Sequence, residues 1–126
     1  MRALARLSPP EAIRAMNAIN VEAPASWFVR ALFATAIASI VLTFLSPQRM
    51  TIAACLIYVA GAIGVTVARN VPLNNALAGV QANSIEGAAL WTRYLRVWTA
   101  WNHVRTLACL IAAALFALSA SRIGVR

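Results

Sequence analysis

Residues 27–45 read WFVRALFATAIASIVLTFL, an unbroken apolar run whose single charge, Arg30, lies one turn from its start. At 1.5 Å per helical residue this run reaches roughly 28 Å, about the thickness of a bilayer's hydrocarbon core. Composition says the same of the whole chain. Its 126 residues, 62% hydrophobic and 11% charged, leave too little polar surface to coat a water-soluble domain. The sequence predicts an all-α transmembrane helical bundle, one membrane domain covering 1–126.

The turn Ser46-Pro47-Gln48-Arg49-Met50 follows the first span and leads into a second expected over 51–68, so the two form an antiparallel hairpin. A third is expected over 106–121, short but long enough if Arg105 and Arg122 extend their side chains to the interface. Ala31, Thr35, Ser39 and Thr43 recur every fourth residue, as do Ala60, Gly64 and Ala68, and such small-residue ridges let helices approach closely. Upstream, Ser8-Pro9-Pro10-Glu11 has the form of a capping box and predicts a short interfacial helix over 9–20. Ile13, Met16 and Asn20 share its apolar face, an unusual place for an asparagine. No apolar core of signal-peptide length precedes Ser26, so no cleavable signal is expected.

Asn70-Val71-Pro72-Leu73-Asn74-Asn75 interrupts the second apolar run. Proline removes a backbone donor and disfavours helix for the residue before it, so the span is expected to break here, near the interface. The asparagine amides then either satisfy the freed carbonyls or hold a ligand. Residues 76–105 read as an interfacial, amphipathic connection rich in aromatic and basic groups towards its end. On a helix, Trp91, Tyr94, Trp98, Trp101, Asn102 and Arg105 share one side, while Arg93, Arg96 and His103 lie on another. The tryptophans suit an aromatic belt at headgroup level or the stacking of a flat ligand.

The basic excess is eleven arginines against Glu11, Glu22 and Glu86, with no lysine and no aspartate. Arg2, Arg6, Arg14, Arg30, Arg69, Arg93, Arg96 and Arg105 fall on one side of a three-span layout, and Arg49, Arg122 and Arg126 on the other. That bias places the asparagine and histidine motifs at the cytoplasmic face of a cell inner membrane. The arginines lie at helix ends rather than clustered on a soluble face, which suits a lipid bilayer as partner and excludes nucleic acid. Lacking lysine and aspartate, the chain offers no Schiff base, Ser-His-Asp triad or aspartyl dyad. One histidine, with Cys55 and Cys109 inside apolar runs, predicts no metal site.

These motifs are similar to those of a known family, the small anthrone oxygenase-like integral membrane proteins. The resemblance rests on Ala15-Met16-Asn17-Ala18-Ile19-Asn20 after a proline pair, on Asn70-Val71-Pro72-Leu73-Asn74 with Leu77, and on Trp91, Trp98, Trp101, Asn102 and Arg105 before the last span. It implies a four-helix membrane bundle whose first helix precedes the stretch that opens this chain, which is accordingly expected to lack it. It also implies oxidation of an anthrone-type aromatic to a quinone by molecular oxygen with no resident cofactor. On that reading His103 is the base, since an imidazole is the one side chain in the clusters suited to general-base work. Arg105 holds the developing oxyanion with Asn102, and Asn20, Asn70, Asn74, Trp91, Arg96, Trp98 and Trp101 contact the substrate. His103 equally suits an interfacial histidine bonded to a carbonyl. The alternative from a different class is a non-enzymatic membrane protein that binds a lipophilic molecule or serves as a subunit of an assembly, a homo-oligomer included. A haem or quinone carrier would have His103 as its one plausible iron ligand.

Overall fold

The computed structural model describes residues 1–123 and contains no strand among them. Arg126, counted in the charge bias, lies outside the described residues. Helix α1 (Pro9–Glu22) starts at Ser8, whose backbone N–H donates to the Glu11 carboxylate at 3.1 Å and whose hydroxyl donates to the same group. These two bonds, the hydroxyl's first, hold the Glu11 carboxyl below its ordinary pKa. A depressed folded-state value means that the lock contributes at neutral pH and is lost as pH falls through that value.

Helix α2 (Trp27–Leu45) occupies the run that opens the argument and starts at Ser26, whose hydroxyl accepts from the Val29 N–H at 3.3 Å. The hydroxyls of Thr35, Ser39 and Thr43 fold back on the carbonyls four residues earlier at 2.8, 2.7 and 2.9 Å. Polar groups satisfied within their own helix are tolerated in apolar surroundings. Leu32, Ala36 and Ser39 form the buried stripe of α2, and most of its other faces are exposed.

Two helices are longer than expected. The second does not break at Pro72 but runs as one helix α3 (Arg49–Ala78), and α4 (Ile85–Ile123) absorbs most of the expected connection, leaving a turn at 79–84. The proline is accommodated because Val59–Gly64 and Thr66–Asn70 are π-helical, and Pro72 enters near the start of the α-helical segment Val71–Ala78. There its missing N–H costs least. The first half of α4 is supported from the side: Leu77, Trp91 and Tyr94 form a core with Ala12, Ile13 and Met16 of α1. A second core, Leu32, Ala36, Tyr58, Ala62 and Ala112, joins the apolar parts of α2, α3 and α4. The expected packing ridge of Ala60, Gly64 and Ala68 is instead exposed, since Tyr58 and Ala62 carry the packed face of this stretch.

Three helices, Trp27–Leu45, Arg49–Ala78 and Ile85–Arg122, are long and apolar enough to cross a membrane. Helices α3 and α4, with 30 and 39 residues, reach about 45 and 58 Å at 1.5 Å per residue, so both exceed the hydrocarbon layer. Their contacts keep one antiparallel register from end to end. Thr51 and Ser119 share a hydrogen bond of 2.8 Å, Gly61 lies against Ala108, Arg105 reaches Thr66, and Tyr94 reaches Asn74. Each step forward along α3 is matched by a step back along α4.

Gly61 lies hard against α4 in this seam, since a Cβ built there would overlap the Ala108 Cβ. Gly61→Ala is expected to lower stability by about 1–3 kcal/mol, the usual cost of overpacking. Gly79→Ala, whose added Cβ meets only ordinary contacts at 3.6 Å, should leave it unchanged. Thermal unfolding of the two variants in one detergent checks the difference.

Candidate functional site

A cavity of about 440 Å³ opens between the three apolar helices beside the second core. Phe28, Ala31, Leu32 and Thr35 of α2, Tyr58 of α3, and Asn102, Arg105, Thr106, Cys109 and Leu110 of α4 line it. The walls are mainly apolar, with Arg105 as their charge. Its Nη1 donates to Thr66 Oγ1 at 3.3 Å, its Nη2 donates to Asn102 Oδ1, and its guanidinium carbon sits 5.4 Å from the centre of the Phe28 ring. Thr66 can accept this bond because its own proton goes to the Ala62 carbonyl at 2.7 Å. The Tyr58 hydroxyl donates to the Leu32 carbonyl at 3.0 Å, pinning α3 to α2 beside the cavity.

The chain thus holds a half-buried guanidinium by two neutral acceptors and an aromatic face, with no carboxylate in the lining. Its positive charge is left uncompensated, and an arginine fork presents several donors at once. Such a site suits a flat, apolar molecule that carries or develops negative charge on oxygen.

One turn outward lies a second polar group. Thr66, Asn70 and Asn74 follow one another at four-residue spacing on α3, as do Tyr94, Trp98 and Asn102 on α4. The Tyr94 hydroxyl donates to Asn74 Oδ1 at 2.7 Å, abuts Asn20 of α1, and its ring stacks on Trp91 and Trp98 with centroids 5.6 and 6.3 Å away. Between this rung and the Arg105 rung, Asn70 is 3% exposed, and neither its amide oxygen nor its nitrogen meets a partner. Asn17 Oδ1, Asn20 Nδ2 and Trp98 Nε1 are likewise buried without partners. Four side chains from three helices therefore offer donors and acceptors into the interior.

The residues expected to act together are divided by this geometry. Arg105 and Asn102 meet in the cavity, whereas His103 is exposed and absent from its lining, because one residue along a helix is a rotation of about 100°. Asn20, Asn74 and Trp98 gather around Tyr94, Asn70 is buried one turn along α3 from Asn74, Trp91 is buried in the core with α1, and Trp101 lies under Arg69 at 4.8 Å. Arg96 is exposed on the far face of α4. Sequence reasoning overlooked Phe28, Tyr58 and Thr66. Tyr58 had a signal: a tyrosine in the middle of an apolar span needs a partner for its hydroxyl. Among the described residues no three His, Cys, Asp or Glu side chains converge as a metal site requires.

The family model described as Anthrone oxygenase matches residues 15–115, most of the chain and every residue of both polar groups. The chain belongs to that family. No curated protein and no solved structure matches it.

The unpaired amide of Asn70 has a measurable consequence. Leaving a buried polar group unsatisfied costs about 1–3 kcal/mol, so Asn70→Leu should raise the unfolding midpoint of the ligand-free protein. A lowered midpoint would mean that the amide is held by a bound molecule or by ordered water.

Proposed function

From membership of the anthrone oxygenase family, we propose that the cavity between α2, α3 and α4 oxidises a flat anthrone-type aromatic to a quinone with O2. The observation that carries this reading is Arg105, a guanidinium without a carboxylate partner, braced by Asn102 and Thr66 over Phe28. A volume of about 440 Å³ is within the range of small-molecule sites. An anthrone methylene is acidic because its carbanion is an aromatic phenolate. Arg105 faces the phenolate oxygen and stabilises the anion relative to the ketone, which is differential binding of the charged species. Phe28 and the apolar walls hold the ring system flat.

The electron-rich anion passes electrons to O2 and forms a carbon–oxygen bond at the former methylene. The new oxygen–oxygen bond then breaks: one oxygen atom remains as the quinone carbonyl, and the other leaves as water with both methylene hydrogens. The exposure of His103 argues for water at the cavity mouth, rather than the imidazole, as first acceptor of the proton. Asn20, Asn70 and Asn74, one turn outward, contact polar substituents of the substrate as it enters. The arginine distribution supports a cell inner membrane with this mouth at its cytoplasmic face.

Oxygen uptake by membranes carrying the protein, with an anthrone supplied and quinone absorbance followed, tests the reading. Arg105→Gln is expected to lower turnover by about 10²–10³-fold, the scale of a lost oxyanion donor. His103→Ala should stay within about twofold, as exposed substitutions generally do. Full activity in Arg105→Gln sinks the assignment. Absence of uptake in the unaltered protein leaves the cavity as a binding site for a lipophilic molecule without chemistry.

A further inference from the structure

On the outer side of the α3–α4 seam, away from Arg105, lies a smaller cavity of about 250 Å³. Its lining is Ala68, Arg69, Pro72 and Leu73 of α3 with Arg93, Val97 and Trp101 of α4, and no acidic side chain is present. We propose that this pocket binds phosphate-bearing anions, its ligand being the headgroup of an anionic phospholipid.

Charge and geometry both support the assignment. Arg69 and Arg93 are exposed, and the guanidinium carbon of Arg69 stands 4.8 Å from the centre of the Trp101 ring. A guanidinium laid over an aromatic ring keeps its in-plane N–H donors free, and that fork matches two phosphate oxygens. The antiparallel register, carried by Arg105 on Thr66 and Tyr94 on Asn74, puts Trp101 opposite Arg69 and moves Arg93 outward. Eight residues along α4 separate Trp101 from Arg93, about 12 Å of backbone at 1.5 Å per residue, and the long side chains of Arg69 and Arg93 line the pocket from both helices.

Depth selects the lipid. From Met50 to Ala68 helix α3 carries no charge, and Arg69 is the first charge to follow. The pocket therefore begins at the edge of the hydrocarbon and extends through the layer where phosphates reside. Ala68, Pro72, Leu73 and Val97 supply an apolar floor for the glycerol and the first methylenes of an acyl chain. Three glutamates against eleven arginines leave these two cations without competing carboxylates in the pocket. The inference does not rest on the oxygenase reading.

The full chain in neutral detergent micelles is titrated with dioleoylphosphatidylglycerol, dioleoylphosphatidylcholine or inorganic phosphate, with the unfolding midpoint and Trp fluorescence as readouts. Phosphatidylglycerol should raise the midpoint saturably and phosphatidylcholine should not. Arg69→Gln and Arg93→Gln should each weaken the response by about tenfold or more, the scale of one lost charge-assisted hydrogen bond, and the double variant should lose it. Arg122→Gln, which removes the same charge at the opposite end of α4, should respond like the unaltered protein. An equal response to inorganic phosphate upholds the anion chemistry and assigns a free anion rather than a lipid as the ligand. A response to phosphatidylcholine, retention in the double variant, or an equal loss in Arg122→Gln overturns the proposal.

Discussion

The antiparallel seam between α3 and α4 governs this molecule. In hydrocarbon, side chains gain little by leaving the lipid for one another, so register depends on close backbone approach and a few hydrogen bonds. Gly61 against Ala108 supplies the first, and the bonds from Thr51 to Ser119 and from Arg105 to Thr66 supply the second. Everything with chemical character stands in relation to this line. The larger cavity opens where α2 leans on the seam, the unpaired Asn70 amide lies between its outer rungs, and the arginine pocket occupies its outer side.

The parts of the fold readable in the sequence are those governed by local chemistry. Trp27–Leu45 is a helix because its apolar run and its Ser26 cap agree, and α1 starts where Ser8, the prolines and Glu11 agree. The division of the later aromatics into two faces was also legible, since Trp91, Tyr94, Trp98, Trp101, Asn102 and Arg105 are buried or half-buried while Arg93, Arg96 and His103 are exposed. Helical period alone determines that division. What was not legible depends on tertiary support. Pro72 reads as a break, but π turns before it and α1 beside it keep the helix whole. Ala60 and Gly64 are exposed because Tyr58 and Ala62, two residues away and so nearly opposite on the helix, form the packed face.

The candidate site was half legible for the same reason. Arg105 and Asn102 stood out as polar groups at the end of a span, and three residues of separation put them on one face. Their partners Thr66, Phe28 and Tyr58 belong to other helices, and only the packing brings them in. His103 was joined to this pair as the one imidazole in the clusters, although the helical projection already set it on another side, and the structure keeps it there, exposed. A guanidinium held by neutral oxygens retains its charge for a ligand, which an ion pair would have neutralised.

The spacing of arginines along the two long helices also sets a thickness. Arg49 and Arg69 bracket the uncharged part of α3, whose π-helical turns over Val59–Gly64 and Thr66–Asn70 shorten it below the roughly 30 Å that 1.5 Å per residue would give. Arg105 and Arg122 bracket that of α4 at only about 25 Å. Arg105, however, is turned into the cavity and held by Asn102 and Thr66, so the shorter uncharged run of α4 reflects a charge sunk inside the bundle rather than one set against lipid. Standing level with Thr66, inside the uncharged run of α3, Arg105 brings a charge to a depth that a hydrophobic molecule dissolved among the acyl chains reaches with little travel.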